Sequence, residues 1–226
     1  MRTSLVASIL IASGAAQAAV TPDFRAPSGG AVADRVHTMA VQVVAGGDGA
    51  QLSVASGVMA GGGIVFTDLR AVAVRGPDGV LAPRRQIAVL TVAGVFAARI
   101  AGTAPDLDVA VLELPQAARG IEGPPLADGS LAAGDRLLAI RAAKLGTALR
   151  FDAMGFSIEA ADGDVLLPTP APPLSFAGAP VFDARGELAG ILVSPTEQDG
   201  LLVPAKSLLE ILTRLRAAAA PPDDHI

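Results

Sequence analysis

The sequence predicts an all-β fold that ends in one helix. Short segments rich in valine and isoleucine recur along the chain, and glycine or proline separates them. This rhythm is typical of antiparallel barrels and sandwiches. A break at residues 115–125, which contains proline and glycine, divides the segments into two similar sets. The 226 residues are enough for one sizeable core or for two small barrels.

The individual elements follow from the apolar segments in order. In the first set we predict strands at 39–46, 52–60 and 62–69, a hairpin at 86–103 and a strand at 107–114. In the second set we predict strands at 135–143, 148–160, 164–169, 179–194 and 200–205, the fourth folded back on itself by a turn at 183–186. Residues 205–219 carry leucine and isoleucine at helical spacing before two prolines, which predicts a terminal helix.

The start of the chain has the pattern of a secretory signal. Arg2 supplies the positive charge, residues 5–16 form a short apolar run, and Ala16-Gln17-Ala18 matches a cleavage site. The run is shorter than the roughly 20 apolar residues that span a bilayer. We therefore expect cleavage after Ala18, no membrane span in the mature chain, and a periplasmic or secreted protein.

Composition argues against several kinds of site. The chain has no cysteine, which rules out disulfides and thiolate catalysis. A net charge of −5 and the lack of Trp and Tyr argue against nucleic-acid binding. The two histidines, His37 and His225, lie at opposite ends of the chain, so we expect no metal site and no cofactor.

Five segments have a recognisable order and spacing. They read ASGVMAGGGIVFTDLRAV, ARIAGTAPDLDVAVLEL, PLADGSLAAGDRLLAI, SFAGAPVFDARGELAGILV and LLVPAKSLLEILTRL. In this order they resemble the protease domain of the HtrA/Deg family of trypsin-like serine proteases, over residues 35–217. The resemblance implies two six-stranded β-barrels of trypsin-like type with a C-terminal α-helix, and we expect no PDZ domain after them.

The expected organisation combines these observations. It comprises a signal peptide at 1–18, an N-terminal extension at 19–34, a first barrel at 35–114, a linker at 115–124, a second barrel plus helix at 125–219 and a tail at 220–226.

The resemblance implies a degenerate catalytic triad. The family's general-base histidine falls on Arg70, its aspartate on Asp108 and its nucleophilic serine on Ala177, while Ser175, Phe176 and Ala177 stand in its oxyanion loop. Hydrolysis needs a hydroxyl that attacks and a base that takes its proton. Alanine has no hydroxyl, and a guanidinium does not accept a proton near neutral pH. The sequence therefore indicates a pseudoprotease.

Other side chains around this site leave alternatives open. Arg70 either forks onto the Asp108 carboxylate in the vacated imidazole space or points to solvent, with Asp108 accepting backbone N–H bonds. Ser175 is interpreted as a turn residue, and Phe176 is expected to fill the mouth of the substrate pocket. His37 is interpreted as a strand histidine. Residues 82–85, APRR, are either a basic patch or a solvated loop, and we favour the loop.

The expected activity is binding of a protein or an extended peptide. In the HtrA/Deg family the strand after the serine turn pairs with substrate by β-augmentation. The corresponding edge here is Gly190, Ile191, Leu192, Val193 and Ser194. The alternatives are an assembly scaffold, a structural subunit of a periplasmic complex, and an active HtrA-like endopeptidase in periplasmic protein quality control. Family members are often trimers, so the resemblance also allows an oligomer.

Overall fold

The computed structural model describes most of the chain from residue 36 to residue 219. The described residues are 33, 36–47, 50–76, 78–127, 130–146, 148–162, 165–193 and 200–219. The predicted signal peptide at 1–18, almost all of the extension at 19–34 and the tail at 220–226 lie outside them.

The first barrel is a closed sheet of six antiparallel strands. Its strands are β1 (Ala40–Gly47), β2 (Ala50–Gly61), β3 (Ile64–Asp68), β6 (Gln86–Thr91), β7 (Gly94–Ala104) and β8 (Val109–Glu113). They run in the order β1-β2-β3-β8-β7-β6, and β1 pairs with β6 to close the barrel. Between β3 and β6 lie the short helix α1 (Leu69–Val72) and a two-stranded sheet of β4 (Ala73–Arg75) and β5 (Leu81–Pro83).

The second barrel repeats this closure and carries the terminal helix. Its strands are β9 (Arg136–Leu145), β10 (Ala148–Asp162), β11 (Val165–Thr169), β12 (Pro180–Phe182), β13 (Leu188–Val193) and β14 (Leu201–Pro204). They run in the order β10-β11-β14-β13-β12-β9, with β9 and β10 paired. Helix α2 (Ala205–Ala219) follows β14 directly. The prediction of two six-stranded barrels with a C-terminal helix is confirmed.

Apolar side chains fill the barrels and the space between them. Val65 points into a core inside the first barrel, whereas its neighbour Phe66 belongs to a different cluster that also contains Phe182, Ile191 and Leu208. This division follows from the alternation of side chains along a strand. The shared cluster joins both barrels to α2, so the barrels are held together by a common apolar core as well as by the connecting chain.

Among the described helices, none combines the length and the apolar character needed to cross a bilayer.

An ion-pair cluster braces the hairpin of β9 and β10. The carboxylate of Asp152 accepts hydrogen bonds from Arg141 Nε at 3.0 Å and Nη2 at 2.5 Å, and from Arg150 Nε at 2.9 Å. Burial alone would raise the pKa of Asp152, but the hydrogen bonds and charges of the two arginines outweigh it and hold the pKa below its usual 3.8. The charged carboxylate is therefore stabilised by the fold.

The Asp152→Asn variant is expected to lose about 1–2 kcal/mol of unfolding free energy at pH 7, because it loses charge-assisted hydrogen bonds at a half-exposed site. A lowered carboxyl pKa contributes stability above the unfolded value, and this contribution is lost as the pH falls through the folded value. The difference from the unmodified protein should therefore shrink below pH 3.8. Urea unfolding at pH 7 and in acid measures this difference in unfolding free energy. Equal losses at both pH values would show that the Asp152 charge does not stabilise the fold.

Candidate functional site

A set of polar contacts joins the two barrels beside residue 177. The Ser56 N–H of β2 donates to the Ala177 carbonyl at 2.8 Å, and the Thr67 hydroxyl of β3 donates to the Ser56 carbonyl at 2.6 Å. The Ser56 hydroxyl accepts from the Ala142 N–H of β9 at 3.2 Å. Ser56 and Thr67 are 1% and 0% exposed. We call these four residues the barrel joint.

The residue after Ala177 has room only for glycine. Gly178 has a φ of +75°, a conformation that L side chains rarely adopt. A Cβ placed there would lie 2.0 Å from the Ser56 carbonyl oxygen and 2.8 Å from the Thr67 hydroxyl. The close approach of this turn to the first barrel therefore depends on glycine at position 178, which has no side chain.

The turn before Ala177 uses its own backbone donors. Leu174–Phe176 form one turn of 3₁₀-helix, and the Ala177 N–H donates to the Leu174 carbonyl at 3.0 Å. The Phe176 N–H donates to the Pro173 carbonyl at 2.8 Å. In a serine protease the N–H of the nucleophile helps to bind the oxyanion of the intermediate. Here the equivalent N–H is already bonded within the turn.

Phe176 and Ser175 lie on opposite sides of this turn. Ser175 is exposed, as expected of a turn residue. Phe176 is 7% exposed and packs in the core of the second barrel, with the Arg141 guanidinium 5.6 Å from the ring centre. The expectation that Phe176 fills the mouth of a substrate pocket is therefore corrected, because its ring belongs to the barrel core.

Backbone contacts bring Arg70 and Asp108 into neighbouring positions. Asp68 caps α1 by accepting the Arg70 N–H at 2.8 Å, and the Leu69 N–H donates to the Asp108 carbonyl at 2.8 Å. Asp108 ends the turn before β8 with a φ of +51°. Because Thr67 lies on the strand that leads into α1, the segments that carry residues 70, 108 and 177 meet at one end of the barrel interface.

The side chains of Arg70 and Asp108 interact through space. Burial raises the pKa of the Asp108 carboxyl, and the positive charges of Arg70 and Arg75 oppose that rise. Within the described part of the chain, no hydrogen bond or ion pair reaches the Asp108 carboxylate. The predicted guanidinium fork is therefore not formed. The alternative arrangement is only half observed: Arg70 is exposed, but the Asp108 carboxylate accepts no backbone N–H from the described residues.

No histidine of the described residues lies within hydrogen-bond distance of a serine. His37 Nδ1 is 3.2 Å from the Ala33 carbonyl, and its ring packs edge-on against Phe151 with centroids 5.0 Å apart. His37 belongs to a 3₁₀ turn before β1, so its interpretation as a strand residue is wrong. His225 lies outside the described residues.

The predicted peptide-binding edge is mostly an interior strand. Gly190 and Ile191 pair with Val181 and Pro180 on one side of β13, and with β14 on the other. Leu192 pairs with β14 and also exchanges hydrogen bonds with the turn at 178–179. This part of the prediction is wrong, because the backbone groups of residues 190–192 are already bonded. Val193 pairs with Leu201, and Ser194 lies outside the described residues.

The chain matches the trypsin-like peptidase domain over residues 55–191, more than half of its length. It belongs to this family. A comparison with curated protein sequences gives no match. The predicted resemblance to trypsin-like proteases is thereby confirmed.

Solved structures share the trypsin-like fold. The active form of the Rv3671c protease from M. tuberculosis has a TM-score of 0.68 at 16% identity, over 94% of this chain and 96% of that one. The serine endoprotease from Yersinia pestis gives 0.64 at 21% identity, over 81% and 65%. The HtrA-type protease AlgW, solved with a tripeptide, gives 0.63 at 22% identity, over 81% and 62%.

Sequence reasoning missed two features of this trypsin-like domain. One is the barrel joint, whose only signals were a serine and a threonine within apolar strands. The other is a cavity where Arg75 and Arg84 join Arg70 and Asp108. Arg75 and Arg84 are nine residues apart in the sequence, and only the pairing of β4 with β5 brings their segments together.

The Gly178→Ala variant tests the close approach at the barrel joint. We expect a loss of about 2–5 kcal/mol, from backbone strain and from the clash with Ser56. Gly62→Ala is the matched control, because Gly62 also has a positive φ (+62°) but nothing within 4 Å of the added Cβ. It should lose only the strain, about 1–2 kcal/mol. Chemical denaturation gives the unfolding free energy of both variants. Equal losses would show that the turn does not approach Ser56 closely.

The Asp108→Asn variant tests the electrostatics of the site. A raised carboxyl pKa means that stability is present below the unfolded value of 3.8 and is lost as the pH rises through the folded value. Asparagine is neutral and tolerates the positive φ. We therefore expect the variant to be more stable than the unmodified protein at pH 7, with no gain below pH 3.8.

The control is Asp106→Asn, an exposed residue of the same turn, which should change the unfolding free energy by no more than about 0.5 kcal/mol. Thermal unfolding of the three proteins at pH 7 and below pH 3.8 supplies the measurement. A variant at position 108 that is less stable than the unmodified protein would show that the carboxylate is favourably paired.

Proposed function

We propose that this trypsin-like domain is catalytically inactive and acts by binding protein. The observation that carries the proposal is Ala177, which stands at the barrel joint in the turn where the family resemblance places the nucleophile. Its methyl group offers no oxygen to attack a carbonyl. A hydrolytic function would require a serine that the site does not supply at this position.

Two further features support the loss of hydrolysis. Arg70 occupies the position of the general base, and a guanidinium remains protonated at any physiological pH. The Ala177 N–H is bonded to Leu174, and removal of one oxyanion donor from a protease costs about 10²–10³ in rate. The proposed site thus lacks a nucleophile and a base, and its oxyanion donor is already bonded. Each of these three groups serves a different step of hydrolysis.

The form of binding follows from the strand pairing. Because β13 is bonded on both sides over residues 190–192, a partner strand cannot pair with that part of the predicted edge. The tripeptide belongs to the AlgW structure and does not by itself assign a peptide to this chain. The pairing therefore favours a partner that docks on a surface other than the strand edge predicted from the sequence.

The experiment restores the missing groups. Arg70→His and Ala177→Ser are made singly and together, and each mature protein is incubated with unfolded casein. We expect no cleavage by the unmodified protein or either single variant, because each lacks the nucleophile or the base. The double variant should cleave slowly, since its oxyanion donor is still bonded within the turn.

The same experiment separates the alternatives. Cleavage by the unmodified protein would establish the active endopeptidase and overturn the proposal. A folded double variant that never cleaves would contradict the assignment of positions 70 and 177. Circular dichroism of all four proteins shows whether each is folded.

We also propose that the domain is exported, on the basis of the signal-like pattern at residues 1–18. Expression of the full chain in a bacterium, followed by fractionation and intact mass analysis, should give a periplasmic protein that begins at Ala19. Ala18→Arg is the control, because signal cleavage requires a small residue there. A cytoplasmic protein that retains residues 1–18 would contradict the proposal.

A further inference from the structure

A basic cavity lies beside the position of the missing base. Its volume is about 500 Å³, and it is bounded by α1, by the β4–β5 sheet and by the turn before β8. Arg70, Arg75 and Arg84 line it together with one acidic residue, Asp108. We use the name basic cavity for the space that these four residues enclose.

The cavity has a charge opposite to that of the whole protein. The chain carries a net charge of −5, whereas three arginines and one aspartate line this cavity. A concave surface lined by one sign of charge concentrates ligands of the other sign. Burial raises the pKa of Asp108, and the positive charges of Arg70 and Arg75 oppose that rise.

The arginines are held on ordered backbone. The Arg70 N–H is part of the cap of α1, and Arg75 Nη1 donates to the Gly79 carbonyl at 3.1 Å. The Arg84 N–H donates to the Val72 carbonyl at 2.8 Å, which ties the end of β5 to α1. Side chains that start from a fixed backbone lose less entropy when they close on a ligand. The sequence interpretation of residues 82–85 as a solvated loop is thus incomplete, since Arg84 lines a cavity.

The remaining walls define the rest of the ligand. Leu69, Val74 and Leu81 contribute apolar surface, and Val74 is 47% exposed. A guanidinium matches a carboxylate with two parallel hydrogen bonds. Basic groups next to apolar walls suit a carboxylate that is attached to a short carbon chain, as at an acidic side chain or at the C-terminus of a peptide.

We propose that the basic cavity binds a carboxylate group of a protein partner. The proposal rests on the protein-binding function proposed above and deepens it by naming a site and the group recognised there. Position 70 connects the two, because the residue that replaces the family's base also adds a positive charge to the cavity. The same side chain would thus remove a proton acceptor and supply part of a carboxylate receptor.

The test uses four fluorescent hexapeptides and the mature protein. One peptide carries glutamates and a free C-terminus, and the others replace the glutamates by glutamine, the terminal carboxylate by an amide, or both. Fluorescence anisotropy at low salt should show binding of the first peptide and none of the last. Loss on amidation identifies a terminal carboxylate, and loss on glutamine substitution identifies a side-chain carboxylate; both results support the proposal.

Variants of the cavity locate the binding. Arg75→Gln and Arg70→Gln should each weaken the peptide's affinity by about fivefold, the effect of one unit charge at contact distance in water. Asp108→Asn should strengthen it, because it removes the repelling charge. Arg99→Gln is the matched control, since Arg99 is 71% exposed on β7, pairs with Glu113 and changes the net charge equally. The Arg99→Gln variant should bind the peptide with the same affinity as the unmodified protein.

Two results would overturn the inference. The first is equal binding of the peptides with and without carboxylates, and the second is an equal loss in Arg75→Gln and Arg99→Gln, which would indicate a general charge effect. Neither result bears on hydrolysis. Cleavage of casein by the unmodified protein would instead overturn the proposed function and leave the peptide affinities as they were measured.

Discussion

The hydrogen bond from the Ser56 N–H to the Ala177 carbonyl fixes the relation between the two barrels at the site. Thr67 bonds the carbonyl of the same serine, and Gly178 lets the turn approach closely enough for the contact to form. Ser56, Thr67 and Gly178 are buried, so a polar group of Ser56 or Thr67 left without a partner would cost about 1–3 kcal/mol. The joint therefore holds the turn in place with alanine at position 177.

This constraint does not depend on the side chain of residue 177. The contacts that position residue 177 involve backbone groups and the side chains of Ser56 and Thr67, and none of them requires a hydroxyl at position 177. Asp108 likewise joins α1 through its carbonyl, so this contact does not involve its carboxylate. The local fold therefore depends on backbone atoms of Ala177 and Asp108, whereas any chemistry at these positions would depend on their side chains.

The sequence was sufficient for features that depend on local pattern. The two sets of valine-rich strands, the terminal helix and the order of motifs around residues 70, 108 and 177 all follow from short segments. Features that depend on distant partners were not predictable. β13 gains a second neighbour from β14, and Arg84 reaches a cavity only because β5 pairs with β4. The family resemblance places His37 in the first strand, whereas the chain makes a 3₁₀ turn there.

Labelling of the unmodified protein with a fluorophosphonate probe tests directly whether the domain is inactive, because the probe forms an adduct only with an activated serine hydroxyl. A trypsin-like protease in a parallel sample serves as the positive control. Since residue 177 is alanine and the described part of the chain brings no histidine to a serine, we predict no adduct under conditions that label the control. A covalent adduct on any serine, including Ser175 or Ser194, would contradict it.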